Sequence, residues 1–192
     1  MAGLSAVGLD ADVAVLDVTD RASLLGQFAA QAEAKRTFDV VVAIGHSNSD
    51  GIKLATDEEL VSWDAFANYL KPFEPRRLML VACQAGRWPA AEQLFRRLPK
   101  LRRIFASPVN ASFDLAQFML GVVPYIVSVK APRGKVVAWA QAAALALTGR
   151  QVREWKRTTD LGDPAGILLD LAAQMADPYA RQLPALLRSF FR

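Results

Sequence analysis

Two runs of apolar residues, each followed by a chemically reactive side chain, limit most strongly what this chain can fold into. One run, Leu78 to Ala82, has five apolar residues in succession, and an upstream run, Val40 to Ile44, is of the same kind. Such uninterrupted runs are typical of strands that are buried on both faces, as in a parallel sheet. We therefore expect both runs to be strands of an α/β fold.

The residues that follow these runs include His46 and Cys83, the only histidine and the only cysteine in the chain. Chemistry in open α/β sheets gathers at the carboxyl ends of the strands. A free cysteine is often a small buried hydrophobe, and a lone histidine is more often structural than catalytic. Here small or polar loop residues follow both side chains. A single cysteine with a histidine elsewhere in the chain indicates a nucleophile and its base.

Strand and helix signals alternate along the chain, which indicates a mostly parallel sheet with helices on both faces. Asp20 and Ser62 are suited to cap helices, and Pro89 is suited to the first turn of another. The length of 192 residues fits one domain, with residues 1–11 loosely ordered and about 133–192 helical. The further predicted elements are strands at Val13–Val18, Leu101–Ser107 and Tyr125–Val129 and a helix at Ser112–Leu120.

Two motifs resemble those of the caspase-like cysteine peptidases, most closely the CHAT-type domains of bacteria: Gly45-His46-Ser47 and Ala82-Cys83-Gln84-Ala85-Gly86. Residues 50–54 and 61–64 resemble the family's insert after the histidine strand, and residues 104–108 resemble the strand after the cysteine helix. The resemblance covers about residues 12 to 150. It implies a caspase-like three-layer sandwich as the fold and hydrolysis of peptide bonds as the activity.

The resemblance also implies a role for each motif residue. Cys83 would attack a peptide carbonyl as the thiolate, and His46 would assist it and then protonate the leaving amine. The backbone N–H groups of Ser47 and Cys83 would form an oxyanion hole, in which each donor contributes about 3 to 4 kcal/mol. Family members commonly have glycine where Ser47 stands. Val81 takes the place of a polar pocket residue of the family, which predicts an uncharged P1 residue in the substrate.

Several other classes of function find little support in the sequence. Basic residues cluster between positions 76 and 103, but no aromatic-interleaved stripe accompanies them, so we expect a solvated face and no nucleic-acid partner. One cysteine and one histidine are too few ligands for a zinc site, and no phosphate-binding loop is present, so we expect neither a metal nor a cofactor. No apolar stretch reaches the roughly 20 residues of a membrane span, and we expect a cytoplasmic protein.

Two hypotheses from different classes remain open. In the first, the chain is a caspase-like thiol protease, a hydrolase that cuts a protein or peptide substrate, in a bacterial regulatory or defence system as the resemblance implies. In the second, it is a caspase-fold module that binds a regulatory protein partner without cutting it. The first hypothesis requires His46 and Cys83 at the same edge of the sheet, whereas in the second these residues are retained or idle.

Overall fold

The computed structural model describes residues 14–56, 59–127 and 133–157, which form a mixed α/β fold with a mostly parallel sheet, as predicted. None of the helices in these ranges is long and apolar enough to cross a membrane. In chain order the elements are α1 (Arg21–Glu33), β1 (Val40–Ile44), β2 (His46–Ser47), β3 (Gly51–Lys53), β4 (Leu60–Ser62), α2 (Trp63–Leu70), a 3₁₀ turn (Lys71–Phe73), β5 (Arg77–Val81), α3 (Trp88–Arg97), β6 (Arg103–Ala106), α4 (Phe113–Val127), α5 (Arg133–Thr148) and β7 (Arg153–Lys156).

The larger sheet has the strand order β1-β5-β6-β7. The first three strands are parallel, and β7 runs antiparallel to β6. The connections from β1 to β5 and from β5 to β6 advance along the sheet in the same direction. Because parallel crossovers are right-handed, α2 and α3 are expected on the same face of the sheet.

Two hydrophobic clusters lie on the two faces of this sheet, because successive side chains of a strand point to opposite sides. Leu78 and Leu80 of β5 belong to the cluster that also contains buried residues of α1, α2 and α3. Met79 and Val81 belong to a second cluster, with buried residues of α4 and α5. Helices therefore cover both faces of the sheet, as the alternating sequence signals predicted.

A small antiparallel sheet, β2-β3-β4, fills the connection between β1 and α2. Its first turn is held by the Asn48 side chain, which accepts hydrogen bonds from the N–H groups of Asp50 and Gly51 at 2.8 and 3.1 Å. A Cβ on Gly51 would lie 2.3 Å from the Val61 carbonyl oxygen, so the close approach of β3 and β4 requires glycine there. This sheet sets the position of His46, which begins β2.

The predicted helix starts are confirmed. The Asp20 carboxylate accepts a hydrogen bond from the Ser23 N–H, and the Ser23 hydroxyl accepts one from the Asp20 N–H, so α1 begins with a reciprocal capping box. The Ser62 hydroxyl caps α2 through the Ala65 N–H at 3.2 Å. Pro89 lies in the first turn of α3, where its missing N–H costs nothing.

The first predicted strand, Val13–Val18, is wrong where the structure describes it, because residues 14–18 form no strand. Their neighbours use the backbone carbonyls differently: the Gln27 side chain donates to the Asp17 carbonyl, and the Thr56 N–H donates to the Thr19 carbonyl. The segment before α1 therefore bonds to α1 and to the loop after β3 instead of pairing with a strand. The hydrophobicity of the segment could not show this, because it is a local signal and the loop after β3 is distant in sequence.

The predicted strand Tyr125–Val129 is also wrong in its described part, because residues 125–127 complete α4. The reason is that residues 118–127 of α4 form one apolar run, and periodicity cannot separate helix from strand in such a run. The helical prediction for residues 133–192 holds for α5 but misses β7, which pairs with β6. Residues 1–11, 128–129 and 158–192 lie outside the described residues, together with the expectations made for them.

Candidate functional site

His46 and Cys83 lie at the same edge of the large sheet. Strands β1 and β5 are parallel neighbours in a register that pairs Ile44 with Val81. The Gly45 N–H donates to the Val81 carbonyl at 3.3 Å, which extends the contact by one residue beyond the strands. His46 and Cys83 each follow two residues after the paired strand ends. The predicted pairing of these two strands is therefore confirmed.

The thiol of Cys83 contacts the segment that leads into α4. Its Sγ accepts a hydrogen bond from the Ala111 N–H at 3.3 Å and lies 3.9 Å from the Ala111 carbonyl oxygen. Ser112 follows, and its hydroxyl accepts a hydrogen bond from the Leu115 N–H in the first turn of α4. The sulfur thus lies beside the N-terminus of a helix of 15 residues. The thiol therefore contacts backbone groups of the segment that leads into α4.

The loop after Cys83 is held by backbone hydrogen bonds to the segment after β6. The Gln84 N–H donates to the Val109 carbonyl at 3.0 Å, and the Gly86 N–H donates to the Ser107 carbonyl at 2.8 Å. Gln84 has a φ of 56°, a left-handed conformation that few residues other than glycine adopt. Its side-chain amide donates to the Asn110 side chain at 3.0 Å. The loop is thus fixed along most of its length.

Gly86 closes this loop against the sheet. A Cβ at this position would lie 2.8 Å from the Ala106 carbonyl oxygen and equally close to backbone atoms of Ser107 and Pro108. The Gly86 carbonyl accepts a hydrogen bond of 2.7 Å from the buried indole N–H of Trp155 on β7. β7, which the sequence did not predict, therefore supports the loop that begins with Cys83.

His46 is exposed, and its backbone is fixed by the pairing of β2 with β3, in which it lies opposite Lys53. The turn that follows is anchored to α2, since the indole N–H of Trp63 donates to the Asn48 carbonyl at 3.2 Å. No hydrogen bond joins the His46 imidazole to the Cys83 Sγ, and within the described ranges no side chain hydrogen-bonds to the imidazole. His46 and Cys83 therefore share an edge without a hydrogen bond between their side chains.

The resemblance implies an oxyanion hole formed by the backbone N–H groups of Ser47 and Cys83, and both groups are free of backbone partners in the part of the chain that the structure describes. The backbone N–H of Asn48 donates a hydrogen bond to the Gly51 carbonyl at 3.0 Å. Because bonded and non-bonded pairs alternate in an antiparallel ladder, the next bonded pair is His46 with Lys53, and the Ser47 N–H points away from β3. The Cys83 N–H likewise has no acceptor among the described residues. The Ser47 hydroxyl donates to the Cys83 carbonyl, so the two residues are in direct contact.

Val81, the candidate pocket residue, is only 3% exposed and packs in the cluster beneath α4 and α5. The exposed apolar side chains at this edge are Ile44, at 63%, and Phe113, at 75%. Ile44 pairs with Val81 in the sheet, and Phe113 lies two residues after Ala111, which contacts the thiol. Sequence reasoning missed both, because Ile44 ends an apolar run and Phe113 lies in a predicted helix, and neither position reveals that the side chain is exposed.

The basic cluster is largely engaged with acidic side chains. Asp64 on α2 accepts hydrogen bonds from Arg97 at 2.5 Å and from Arg96 at 3.2 Å, and the bond from Arg97 lowers the pKa of Asp64. Further ion pairs join Arg76 to Asp39, Lys100 to Glu74 and Arg103 to Glu154. Most of the basic side chains between positions 76 and 103 are therefore paired with acidic side chains of the same chain.

Across residues 14–56, 59–127 and 133–157, no three side chains of histidine, cysteine, aspartate or glutamate come together in a group that could hold a metal ion. No protein-family model matches the chain, and no curated protein matches it. The likeness to caspase-type peptidases therefore rests on the two motifs and their order in the chain.

Proposed function

We propose that the chain is a cysteine endopeptidase of the caspase and CHAT type, with Cys83 as the nucleophile and His46 as the general acid and base. The observation that carries this proposal is the register of β1 and β5, which brings the only histidine and the only cysteine to the same edge of a parallel sheet. A sheet covered by helices on both faces is compatible with the sandwich that the resemblance implies.

The surroundings of Cys83 supply the features that a thiol nucleophile requires. The Ala111 N–H donates to the sulfur, which attacks as the thiolate. The free N–H groups of Ser47 and Cys83 are donors suited to the oxygen that becomes charged during attack. Cys83 is only half-buried, so the residue is partly accessible to a substrate.

The reaction follows in two stages. His46 takes the thiol proton, the sulfur of Cys83 forms a bond to the carbonyl carbon, and the N–H groups of Ser47 and Cys83 bind the resulting oxyanion. The carbon–nitrogen bond then breaks, and His46 returns its proton to the leaving amine. In the second stage His46 takes a proton from water, the hydroxide attacks the thioester, and the carboxylic acid product leaves as Cys83 regains its proton.

The first step requires a hydrogen bond between the exposed imidazole of His46 and the thiol of Cys83. Catalytic hydrogen bonds often form only when the substrate is bound. Pairing with β3 fixes the His46 backbone, so the imidazole would form this bond by rotation about its side-chain torsions.

The apolar residues at this edge support a preference for an uncharged, large P1 side chain. At the position where the family has a polar pocket residue, this chain has Val81, which is buried. The apolar side chains that are exposed at this edge are those of Ile44 and Phe113. An apolar side chain placed against these two residues would remove further apolar surface from water.

The alternative function is a caspase-fold module that binds a regulatory protein without cutting it. The observation that favours it is the lack of a hydrogen bond between the His46 and Cys83 side chains, together with the exposed Ile44 and Phe113 at the same edge. In this case the same edge would bind a partner through its apolar residues, and the thiol would have no part in the interaction.

Proteolysis of a peptide mixture decides between these functions. The purified chain is incubated with peptides of diverse sequence, and new termini are detected by mass spectrometry, with Cys83→Ala as the matched control. A peptidase produces cleavages that are lost in the variant. A binding module produces none in either form, and it retains its partner after the Cys83→Ala substitution.

A further inference from the structure

The peptide group between Cys83 and Gln84 is held at both ends. Its carbonyl, which belongs to Cys83, accepts the hydrogen bond from the Ser47 hydroxyl. Its N–H, which belongs to Gln84, donates to the Val109 carbonyl at 3.0 Å. The first bond comes from the segment that carries His46, and the second comes from the segment after β6. The orientation of the main chain at the nucleophile thus depends on two neighbouring segments.

The Ser47 hydroxyl contacts the Cys83 carbonyl just beyond the last backbone hydrogen bond between the segments of β1 and β5. The last bond across the two strands runs from the Gly45 N–H to the Val81 carbonyl. Beyond it the chain turns into β2, and the Cys83 carbonyl has the Ser47 hydroxyl as its partner instead of a backbone group of β1. A side chain therefore continues the connection between the histidine and cysteine segments past the point where backbone pairing stops.

The far end of the histidine segment is anchored separately. The Asn48 side chain closes the turn to Gly51, and Trp63 of α2 holds the Asn48 carbonyl. These contacts fix the turn relative to α2, but they do not reach Cys83. Of the contacts of β2 that the structure describes, the Ser47 hydroxyl is the one that joins this strand to the nucleophile.

We propose that Ser47 is a positioning residue of the site: its hydroxyl holds the segment that carries His46 and the Ser47 N–H against the main chain of Cys83. This inference rests on the proposed peptidase function and assigns a purpose to the serine that stands in place of the family's usual glycine. A glycine has no hydroxyl and could not make this contact. Loss of the bond would leave the Cys83 carbonyl without its partner and would free the histidine segment to move relative to the sulfur.

The test compares two electrophiles on the full chain. Peptidyl chloromethyl ketone uses the base, the oxyanion donors and the thiol, whereas iodoacetamide depends chiefly on the thiol itself. The measured quantity is the ratio of the two second-order rate constants at Cys83. We expect Ser47→Ala to lower this ratio about tenfold, which corresponds to the loss of one hydrogen bond. Ser47→Thr, which keeps a hydroxyl, should retain the wild-type ratio.

The matched control is Ser49→Ala, which removes a hydroxyl from the same turn whose contact is with Asp50 and not with Cys83. This variant should leave the ratio unchanged. An unchanged ratio in folded Ser47→Ala, or a tenfold lower ratio in Ser47→Thr, would overturn the positioning role while leaving the peptidase proposal intact. If the wild-type chain shows no preference for the peptide reagent, the peptidase proposal fails and the positioning role falls with it.

Discussion

The indole N–H of Trp155 donates a hydrogen bond of 2.7 Å to the carbonyl of Gly86, across 69 residues of sequence. This contact joins the last described strand to the loop that starts at Cys83. Because both groups are buried, neither finds water as a replacement partner. The geometry of the loop that starts at Cys83 therefore depends on β7 as well as on the residues of the loop itself.

Trp155→Phe should destabilise the fold while it preserves most of the packing of the ring. The substitution removes the indole N–H and leaves the Gly86 carbonyl buried without its donor, which costs about 1 to 3 kcal/mol. Urea unfolding followed by circular dichroism measures the loss. A free energy of unfolding equal to that of the wild-type chain would show that the bond contributes nothing to stability.

Gly86→Ala should be destabilising by about 1 to 3 kcal/mol, because the new methyl group would press against backbone atoms that cannot rotate away. Gly26→Ala on α1 is the matched control, since a Cβ there meets no atom within 4 Å. It should stabilise the chain by about 0.5 to 1 kcal/mol through helix propensity. Thermal unfolding of both variants checks the prediction, and equal effects of the two substitutions would contradict it.

The fold could be predicted from the sequence wherever the signal was local. The caps at Asp20 and Ser62 and the two apolar runs needed no distant information, and all four are where the sequence indicates. β7 was missed because a strand of only four residues, three of them charged, gives too weak a sequence signal. α4 was cut short because an apolar run has no period that separates helix from strand.

The site could be predicted only in outline. The edge shared by His46 and Cys83 followed from strand order, which the sequence reveals. The contact between Ser47 and Cys83 and the burial of Val81 depend on where the chain turns after Gly45 and on how α4 packs. The exposure of the Ile44 and Phe113 side chains also depends on this packing, and no pattern of residue types in the sequence predicts it.

Lowering the pH should weaken the contact between α2 and α3. The hydrogen bond from Arg97 lowers the pKa of Asp64, so the ionised carboxylate is favoured in the folded state. Its contribution is present above the ordinary aspartate range near pH 3.9 and is lost as the pH falls through the lowered pKa of the folded chain. The stability difference between wild type and Asp64→Asn should therefore shrink in acid. A difference that does not change with pH would contradict this account.

The apolar residues beside the thiol should determine the P1 preference. Phe113→Asp should slow the cleavage of peptides with a large apolar P1 side chain, because it places a charge where that side chain would bind. Profiling with a peptide library measures the preference. Leu25→Asp is the control, since Leu25 is 46% exposed on α1, a helix of the other face of the sheet. A wild-type preference for arginine, lysine or aspartate at P1 would show that other residues form the pocket.

The substitution Cys83→Ala should leave the chain folded. The thiol is half-buried, and its hydrogen bond with the Ala111 N–H is worth about 1 kcal/mol. Circular dichroism and the unfolding midpoint measure this. Collapse of the fold in Cys83→Ala would assign the residue a structural role instead of a catalytic one.

The rate at which Cys83 is labelled by a peptidyl chloromethyl ketone with an apolar P1 residue tests the central claim most directly. Mass spectrometry locates the adduct, and the same chain unfolded in urea provides the rate of an unassisted thiol. We predict rapid modification of Cys83 in the folded chain, slowed by at least about 100-fold in His46→Ala, the contribution expected of a general base. Labelling of the folded chain no faster than of the unfolded chain, or equally fast in His46→Ala, would contradict a catalytic pair formed by His46 and Cys83.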